Sequence, residues 1–296
     1  MNERLSVVIP AYNRATELRR ALYSLVRQTM KSFDVVVCDD GSSEDIESVV
    51  DAFSDRLDIQ YIRIARFGGP ARPRNVGVSI SKGRWISFLD SDDWWNDDRI
   101  ERVQPLLSKG ADLLYHSLRY TPSSEASLGI QRSHFVGRKI GVNALYDMIT
   151  RGNPIATSAA IVNRKTFESI GGFSEDLDLI ALEDFDAWLT MAEFGCAFRY
   201  IDSPLGWYSA GVDNLSKMAA HGLQNYTAVF QKHLARISPE LLPIASTYFH
   251  YVLGSFALTL CKRSLARAHF AKVAFSVSPR RWMMSRLKMR RIVLTA

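Results

Sequence analysis

The sequence predicts an α/β fold built on a mainly parallel sheet with helices on both faces. Over the first third of the chain, short apolar runs rich in branched residues alternate with helical patterns, which is typical of parallel strands buried on both faces. The predicted strands are residues 5–10, 33–38, 59–64, 84–89 and, further along the chain, 111–118. Right-handed crossovers would bring their carboxyl ends to one edge of the sheet, where ligands bind in such folds.

The helices between these strands are predicted from apolar spacing and from polar residues at their starts. A helix is expected between the first two strands, with Asn13 or Thr16 available to cap it. Another helix is expected to begin near Glu183, because the apolar side chains that follow recur at positions i, i+3, i+4 and i+7. The polar stretch 119–137 is interpreted either as an ordered lid or as a mobile loop.

The charge distribution divides the chain near residue 220. No Asp or Glu follows Glu240, whereas ten Lys and Arg do. The whole chain has a net charge of +6, but its first 240 positions contain 27 basic and 31 acidic residues and have a net charge of −4. We therefore expect a catalytic domain over 1–220 and a basic helical segment over 221–296. Nucleic acid is not an expected partner, because the acidic first part would repel phosphate.

The basic segment alternates Lys and Arg with aromatic and aliphatic residues at helical spacing, as amphipathic helices on anionic membranes do. A helical cap on the core and an oligomer contact are the other interpretations. The longest uncharged apolar run of this segment, 251–261, is about half of the ~20 residues that cross a bilayer. With three cysteines, no CxxC pair and no secretion signal, a cytoplasmic protein is expected, with peripheral association at the inner face of the cell membrane as an option.

Acidic side chains follow the fourth predicted strand in the segment FLDSDDWW, which contains Asp90, Asp92 and Asp93. Carboxylates packed together repel one another unless a cation lies among them. Hard oxygen ligands suit Mn²⁺ or Mg²⁺, although a solvated acidic turn is the alternative for this motif alone. The second strand is followed by DDGSSED and the first by PAYNR, so polar motifs are expected to meet at one sheet edge.

The order and spacing of these motifs resemble family 2 glycosyltransferases of the GT-A fold over roughly residues 3–215. The resemblance is carried by SVVIPAYNRATELRRALYSLVRQT, VVCDDGSSED, ARPRNVGV and FLDSDD. It implies an inverting enzyme that moves a sugar from a nucleotide diphosphate, with UDP favoured by family frequency, to an acceptor hydroxyl. The implied acceptor is a glycan or a lipid-linked sugar in bacterial-type assembly of cell-surface polysaccharide or glycolipid.

The resemblance implies that the first two motifs bind the nucleotide base. Pro10, Ala11 and Tyr12 would surround the base, and Asp40 would accept a hydrogen bond from its ring nitrogen.

The diphosphate and the metal are assigned to the next two motifs in the same way. Arg74 would meet the diphosphate, with Arg72 as a helper, since a guanidinium fork matches phosphate oxygens. Asp90 would face ribose or sugar hydroxyls. Asp92, with Asp93 as the alternative, would hold Mn²⁺ or Mg²⁺.

The pair Glu183–Asp184 matches the family's acidic pair after a GGF motif. The resemblance implies that Asp184 is the catalytic base and that Glu183 binds the acceptor or supports the base. An acidic pair at this place is otherwise a favourable helix start, because the helix dipole stabilises the ionised form.

One segment departs from the family pattern. Ser209 and Gly211 stand near the places where many relatives carry an Arg and a His, and that His can complete the metal shell. Asp213 or His221 could compensate, although neither matches the motif. The departure keeps a second interpretation open, a catalytically silent relative that acts as a binding module.

Overall fold

The computed structural model describes residues 3–122, 135–210 and 212–294 of the 296-residue chain. The chain divides into two compact units. One consists of Met1–Ile140 with Asn153–Gly211, and the other of Gly141–Gly152 with Val212–Ala296. The inclusion of Gly141–Gly152 in the second unit was not predicted from the sequence.

The first unit is built on a mixed sheet in which the long ladders are parallel. The strands are β1 (Leu5–Ala11), β2 (Phe33–Asp39), β3 (Ile59–Arg63), β4 (Trp85–Phe88), β5 (Trp94–Trp95), β6 (Leu113–Pro122), β7 (Phe135–Val136), β8 (Ala160–Asn163) and β9 (Phe198–Ala210). Their spatial order is β3-β2-β1-β4-β8-β6-β9-β5, with β7 paired to β6. Strands β1 to β4 run parallel, β8 is antiparallel to both β4 and β6, and β9 is parallel to β6.

The helices of this unit lie between the strands. They are α1 (Ala15–Val26), α2 (Ile46–Asp51), α3 (Ala71–Ile80), α4 (Arg99–Val103), α6 (Arg164–Ser169) and α7 (Glu183–Glu193). The predicted α/β class is confirmed, and α7 begins at Glu183 as expected. Of the stretch 119–137, residues 119–122 continue β6 and 135–136 form β7, while 123–134 lie outside the described residues.

The capping prediction for α1 was wrong. Asn13 has a positive φ of 48°, and its side-chain oxygen accepts hydrogen bonds from the backbone of Ser43 and Glu44 instead. The first turn of α1 is capped from outside the helix, because the backbone N–H of Ala15 donates to Glu44 Oε2 at 2.8 Å. The loops after β1 and β2 are thereby fastened to each other.

Burial on both faces explains the uniformly apolar strands. Every residue of β1 and β2 is buried, and alternate side chains of both strands, on one face of the sheet, join one core with those of α1 and α2. Helix α3 lies especially close to the sheet, since a Cβ on Gly77 would come within 2.4 Å of Val8 Cγ1. This close approach brings the start of α3, with Arg74, beside the carboxyl ends of β1 and β4.

The second unit is helical. Its helices are α5 (Ala144–Arg151), α8 (Val212–Leu234), α9 (Leu242–Thr259), α10 (Arg263–Ala271) and α11 (Pro279–Leu294). Helices α8 to α11 pack around a small core that includes Phe270 and Ala257. Within the described ranges of the chain, no helix is both long and apolar enough to cross a membrane.

Candidate active site

The central feature of the site is a buried arginine between two carboxylates from distant parts of the chain. Arg74 in α3 is 3% exposed. Its Nη2 donates to Asp90 Oδ1 after β4, and its Nη1 donates to Glu183 Oε1 at the start of α7, both at 2.6 Å. A buried guanidinium needs such partners, because an uncompensated charge in the interior is costly. Arg74 therefore joins the DSDD motif to the Glu183–Asp184 pair.

Asp184 lies beside this arrangement and is held by neutral donors. Thr157 Oγ1 donates to its Oδ2 at 2.9 Å, and Asn153 Nδ2 does so at 3.3 Å. Burial and the neighbouring Glu183 carboxylate raise the pKa of Asp184 to about 7, against the opposing effects of Arg74 and Thr157. A carboxylate with a pKa near neutrality is suited to accept a proton during catalysis.

Asp93 is buried and accepts two hydrogen bonds. Ser158 Oγ donates to its Oδ2 at 2.5 Å, and the backbone N–H of Ser209 donates to its Oδ1 at 2.8 Å. Ser158 Oγ also accepts a hydrogen bond from the backbone N–H of Asp90. Burial, with the charges of Asp90 and Asp92, raises the pKa of Asp93 well above its usual range. Ser209, one of the two departures from the family pattern, thus contacts the acidic motif through its backbone.

Asp92 is the more accessible of the two predicted metal ligands, with a side chain that is 16% exposed. Its Oδ2 accepts from Arg14 Nη1 at 2.6 Å, and Arg20 donates to its backbone carbonyl. Among residues 3–122, 135–210 and 212–294, no group of three or more His, Cys, Asp or Glu is arranged to hold a metal ion. Gly211 and the side chains of Asp213 and His221 lie outside the described part of the chain.

The four aspartates share one electrostatic environment, as Tyr208 in β9 shows. Burial raises the pKa of the Tyr208 phenol, and so do the charges of Asp93, Asp90, Asp92 and Asp184. The acidic motif after β4 and the acidic pair of α7 therefore lie close together.

The residues predicted to bind the base lie together at the ends of β1 and β2. Pro10 and Ala11 are buried in β1, and the Ala11 carbonyl accepts from the backbone N–H of Asp40. Tyr12 is 40% exposed, and the guanidinium of Arg66 lies over its ring at 3.4 Å from the centroid. Arg66 also donates to Asp40.

Arg72 lies at the surface rather than in this arrangement of buried groups. Its Nε donates to Glu175 at 2.8 Å, and its guanidinium is 4.1 Å from the ring centroid of Phe67. Its side chain is 46% exposed.

Sequence reasoning missed Thr157, Ser158, Tyr208 and Arg66. The signal for the first two was weak, because they form one short turn before β8, a strand whose antiparallel place in the sheet was not predicted. Tyr208 falls in the segment GWYSAGVDNLSK, which was considered only for metal ligands.

Comparison with known families identifies the class of protein that this site belongs to. The model of the family described as Glycosyl transferase family 2 matches residues 6–171, which is more than half of the chain. The chain belongs to glycosyltransferase family 2, and the resemblance stated from its motifs is confirmed.

Curated relatives agree with this assignment. An uncharacterised glycosyltransferase of Haemophilus influenzae is 31% identical over 193 residues, which are 64% of this chain and 62% of that protein. The chain thus spans less than two thirds of that relative's length. The Escherichia coli protein WfaP, a UDP-Glc:α-D-GlcNAc-diphosphoundecaprenol β-1,3-glucosyltransferase, is 27% identical over 197 residues, 67% of this chain and 73% of WfaP.

Solved structures share the fold. The mannosyltransferase PcManGT of Pyrobaculum calidifontis, in complex with GDP-Man and Mn²⁺, has a TM-score of 0.65 at 18% identity and covers 99% of this chain and 87% of its own. TarS 1–349 of S. aureus, in complex with UDP-GlcNAc, has a TM-score of 0.59 at 17% identity, with coverages of 97% and 92%. The predicted GT-A fold is confirmed.

Proposed function

We propose that this glycosyltransferase moves a sugar from a nucleotide diphosphate, with uridine as the base, to an acceptor hydroxyl with inversion at the anomeric carbon. The observation that carries the proposal is the double ion pair of Arg74. It brings the residue assigned to the donor diphosphate within 2.6 Å of both Asp90 and Glu183. The groups that we assign to the donor and to the acceptor are therefore adjacent.

The reaction is a single displacement in which Asp184 is the base. Its carboxylate takes the proton of the acceptor hydroxyl, and the acceptor oxygen forms a bond to the anomeric carbon. The bond from that carbon to the diphosphate breaks, and the nucleoside diphosphate leaves with the electron pair. Thr157 and Asn153 hold Asp184 in place, and Glu183 is itself held by Arg74.

Arg74 is assigned to the leaving diphosphate. As a guanidinium held by two carboxylate partners, it keeps its charge throughout the reaction. Positive charge beside the diphosphate stabilises the negative charge that develops as the bond to the sugar breaks.

Asp92 and Asp93 offer carboxylate oxygens, which are the ligand type that Mn²⁺ and Mg²⁺ prefer. Burial raises the pKa of Asp93, the charges of Asp90 and Asp92 add to this effect, and a bound cation would relieve that repulsion. The Arg14 guanidinium already places a positive charge on Asp92, the accessible carboxylate. Asp92 would hold the ion, with Asp93 as the alternative, and diphosphate oxygens and water would complete the shell. A bound ion of this kind supplies charge neutralisation to the diphosphate.

The named relatives support the choice of donor and acceptor classes. WfaP is named for a UDP-sugar donor and a diphosphoundecaprenol-linked acceptor, and TarS has been solved with UDP-GlcNAc. We therefore propose a role in the assembly of cell-surface polysaccharide or glycolipid, with a glycan or lipid-linked sugar as acceptor.

The test combines donor binding with transfer. UDP-Glc, UDP-GlcNAc and GDP-Man, each with and without Mn²⁺, should be screened by thermal shift, since a bound donor stabilises the fold by mass action. Transfer to GlcNAc-diphosphoundecaprenol is then followed by mass spectrometry, and the anomeric configuration of the product by NMR. We expect the UDP-sugars to stabilise the protein and the product to be inverted. A protein that responds to none of them would be the silent binding module instead.

We also propose that the second unit contacts an anionic membrane surface. Met283 and Leu287 of α11 are 53% and 47% exposed, and they line a groove of about 590 Å³ together with Arg267, Arg286 and Arg290. Exposed apolar side chains ringed by guanidiniums match the chemistry of an anionic lipid interface. No acidic residue follows Glu240 in the sequence, so α9, α10 and α11 contribute only basic charges. Such contact would keep a peripheral enzyme beside a lipid-linked acceptor at the inner face of the cell membrane.

A further inference from the structure

The base site contains a planar cation that makes two contacts expected of a nucleobase. The guanidinium of Arg66 lies on the exposed ring of Tyr12, with its carbon 3.4 Å from the ring centroid. The same guanidinium donates an N–H hydrogen bond to Oδ2 of Asp40, a carboxylate whose side chain is only 3% exposed. The resemblance assigns the same two contacts, one with Tyr12 and one with Asp40, to the base of the nucleotide donor.

The guanidinium of Arg66 and a bound nucleobase exclude each other from this position. A guanidinium at 3.4 Å from the Tyr12 ring is in stacking contact, so it fills the layer in which a base would stack on the same face. Asp40 Oδ2 also accepts from the backbone N–H of Gly68, and Oδ1 accepts from Phe67. With Arg66 present, Asp40 has no fewer than three donors, and an incoming ring N–H has to replace one of them.

Of the three groups that donate hydrogen bonds to Asp40, the Arg66 side chain is the one that can move away. The other two are backbone groups of a loop that lies tightly against the turn at Gly41, where an added Cβ would be 3.0 Å from the backbone nitrogen of Arg66. The Arg66 side chain itself is 42% exposed, so its movement requires no change in the core. Asp40 would keep its two backbone hydrogen bonds after Arg66 moves away.

We propose that Arg66 is a stand-in for the nucleobase, which occupies the base position in the free protein and is displaced when the nucleotide donor binds. This inference rests on the proposed function, because it requires the base to bind between Tyr12 and Asp40. Binding is then an exchange, and the apparent affinity is reduced by the fraction of molecules in which Arg66 fills the position.

Asp40 distinguishes between bases in this exchange. A base that offers a ring N–H, such as uracil, replaces the hydrogen bond that Asp40 loses. A base without a ring N–H at that place would leave Oδ2 of Asp40 with the Gly68 N–H as its remaining donor, which is unfavourable for a buried carboxylate. Displacement of Arg66 weakens the binding of all bases equally, so the preference for a ring N–H comes from Asp40.

The test measures the binding of the uncharged nucleoside uridine, which avoids any effect of arginine on phosphate. The variant is Arg66→Ala, and 3-methyluridine, which lacks the ring N–H, is the matched ligand. We expect Arg66→Ala to bind uridine about tenfold more tightly than the wild type, as removal of a stacked and hydrogen-bonded occupant implies. The affinity for 3-methyluridine should remain lower than that for uridine in both proteins.

Arg56→Ala is the control variant. Arg56 also lies over an aromatic ring, at 4.6 Å from the centroid of Phe53, but outside the site, and its replacement should leave uridine binding unchanged. Equal or weaker uridine binding by Arg66→Ala, with donor binding retained, would overturn this inference alone. If neither wild type nor variant bound uridine, thymidine, guanosine or any nucleotide sugar, the inference and the proposed function would fall together.

Discussion

The hydroxyl of Thr157 donates a hydrogen bond of 2.9 Å to Oδ2 of Asp184. Thr157 is buried, and its neighbour Ser158 makes the equivalent contact to Asp93. One short turn thus places a hydroxyl on each of two carboxylates that come from different motifs. Because a donor favours the ionised form of its acceptor, Thr157 opposes the burial and the Glu183 charge that raise the pKa of Asp184.

Replacing Thr157 should therefore shift the pH dependence of transfer. Thr157→Val keeps the volume and removes the donor, so the pKa of Asp184 should rise from about 7 by about one unit, as expected for a hydrogen bond to a charged group. The midpoint of the rising limb of kcat/KM against pH, which reports the base in the free enzyme, should move upward by the same amount. Thr157→Ser retains the hydroxyl and should retain the wild-type midpoint. An unchanged profile in Thr157→Val would show that this contact does not tune the base.

Asp184→Asn should separate the activity of this residue from its effect on stability. Loss of the base should lower turnover by roughly 10²- to 10⁴-fold while donor binding is kept. The folded-state pKa of about 7 lies above the ordinary value of 3.8, so the neutral form stabilises the fold below about pH 4, and this contribution is lost as the pH rises through 7.

The variant cannot ionise at this position, so its free energy of unfolding should lack this pH dependence. Urea denaturation should show wild type losing on the order of 1–2 kcal/mol relative to Asp184→Asn between pH 4.5 and pH 8. Near-normal transfer by Asp184→Asn would refute the assignment of the base. A parallel pH dependence of the two proteins would contradict the raised pKa.

The convergence of the motifs could be predicted because it follows from the topology. Parallel strands joined by right-handed crossovers deliver whatever follows them to one edge, so Asp40 after β2 and Asp90 after β4 had to lie at the same edge of the sheet. The Glu183–Asp184 pair was placed by its likeness to the family, and helical spacing predicted only where its helix starts. The sequence did not predict that Arg74 links them, because this link depends on how closely α3 approaches β1 at Gly77.

The features that were missed depend on contacts between residues far apart in sequence. Asn13 matched the pattern of an N-cap, but the turn at φ 48° directs its side chain to the loop at Ser43 and Glu44, thirty residues away. Ser158 gave no local signal, since its role depends on the antiparallel pairing of β8 with β4. Local sequence patterns indicate where helices start and which runs form strands, but they do not indicate which distant residues Asn13 and Ser158 contact.

Arg74 should contribute to stability as well as to donor binding. Arg74→Met would leave Asp90 and Glu183 without their shared partner, and breaking a buried pair in this way costs about 3–5 kcal/mol. Arg74→Lys keeps the charge but not the fork that serves both carboxylates, so it should lose less stability and still bind donor weakly. Urea denaturation and donor titration would measure the two effects.

The exposed pair of Arg27 and Asp97 provides the comparison for Arg74. Both side chains are more than 40% exposed, and Arg27→Met should cost less than about 1 kcal/mol because solvent screens the pair. If Arg74→Met were no more destabilising than Arg27→Met, the buried ion pairs would not be part of what holds the site together.

Substitution of the apolar residues on α11 should abolish vesicle binding. The double variant Met283→Glu, Leu287→Glu removes two exposed apolar side chains and adds negative charge to a basic surface. Co-sedimentation with vesicles containing phosphatidylglycerol should fall at least about tenfold, since each buried apolar side chain contributes roughly 1.5–3 kcal/mol. Leu177→Glu, at an exposed leucine of the first unit between Asp176 and Asp178, should bind as the wild type does.

Wild-type binding should weaken with salt, because the charge attraction is screened, and should be minimal on vesicles of phosphatidylcholine alone. Vesicle binding that the double variant retained, or that did not depend on anionic lipid, would contradict the proposed membrane surface.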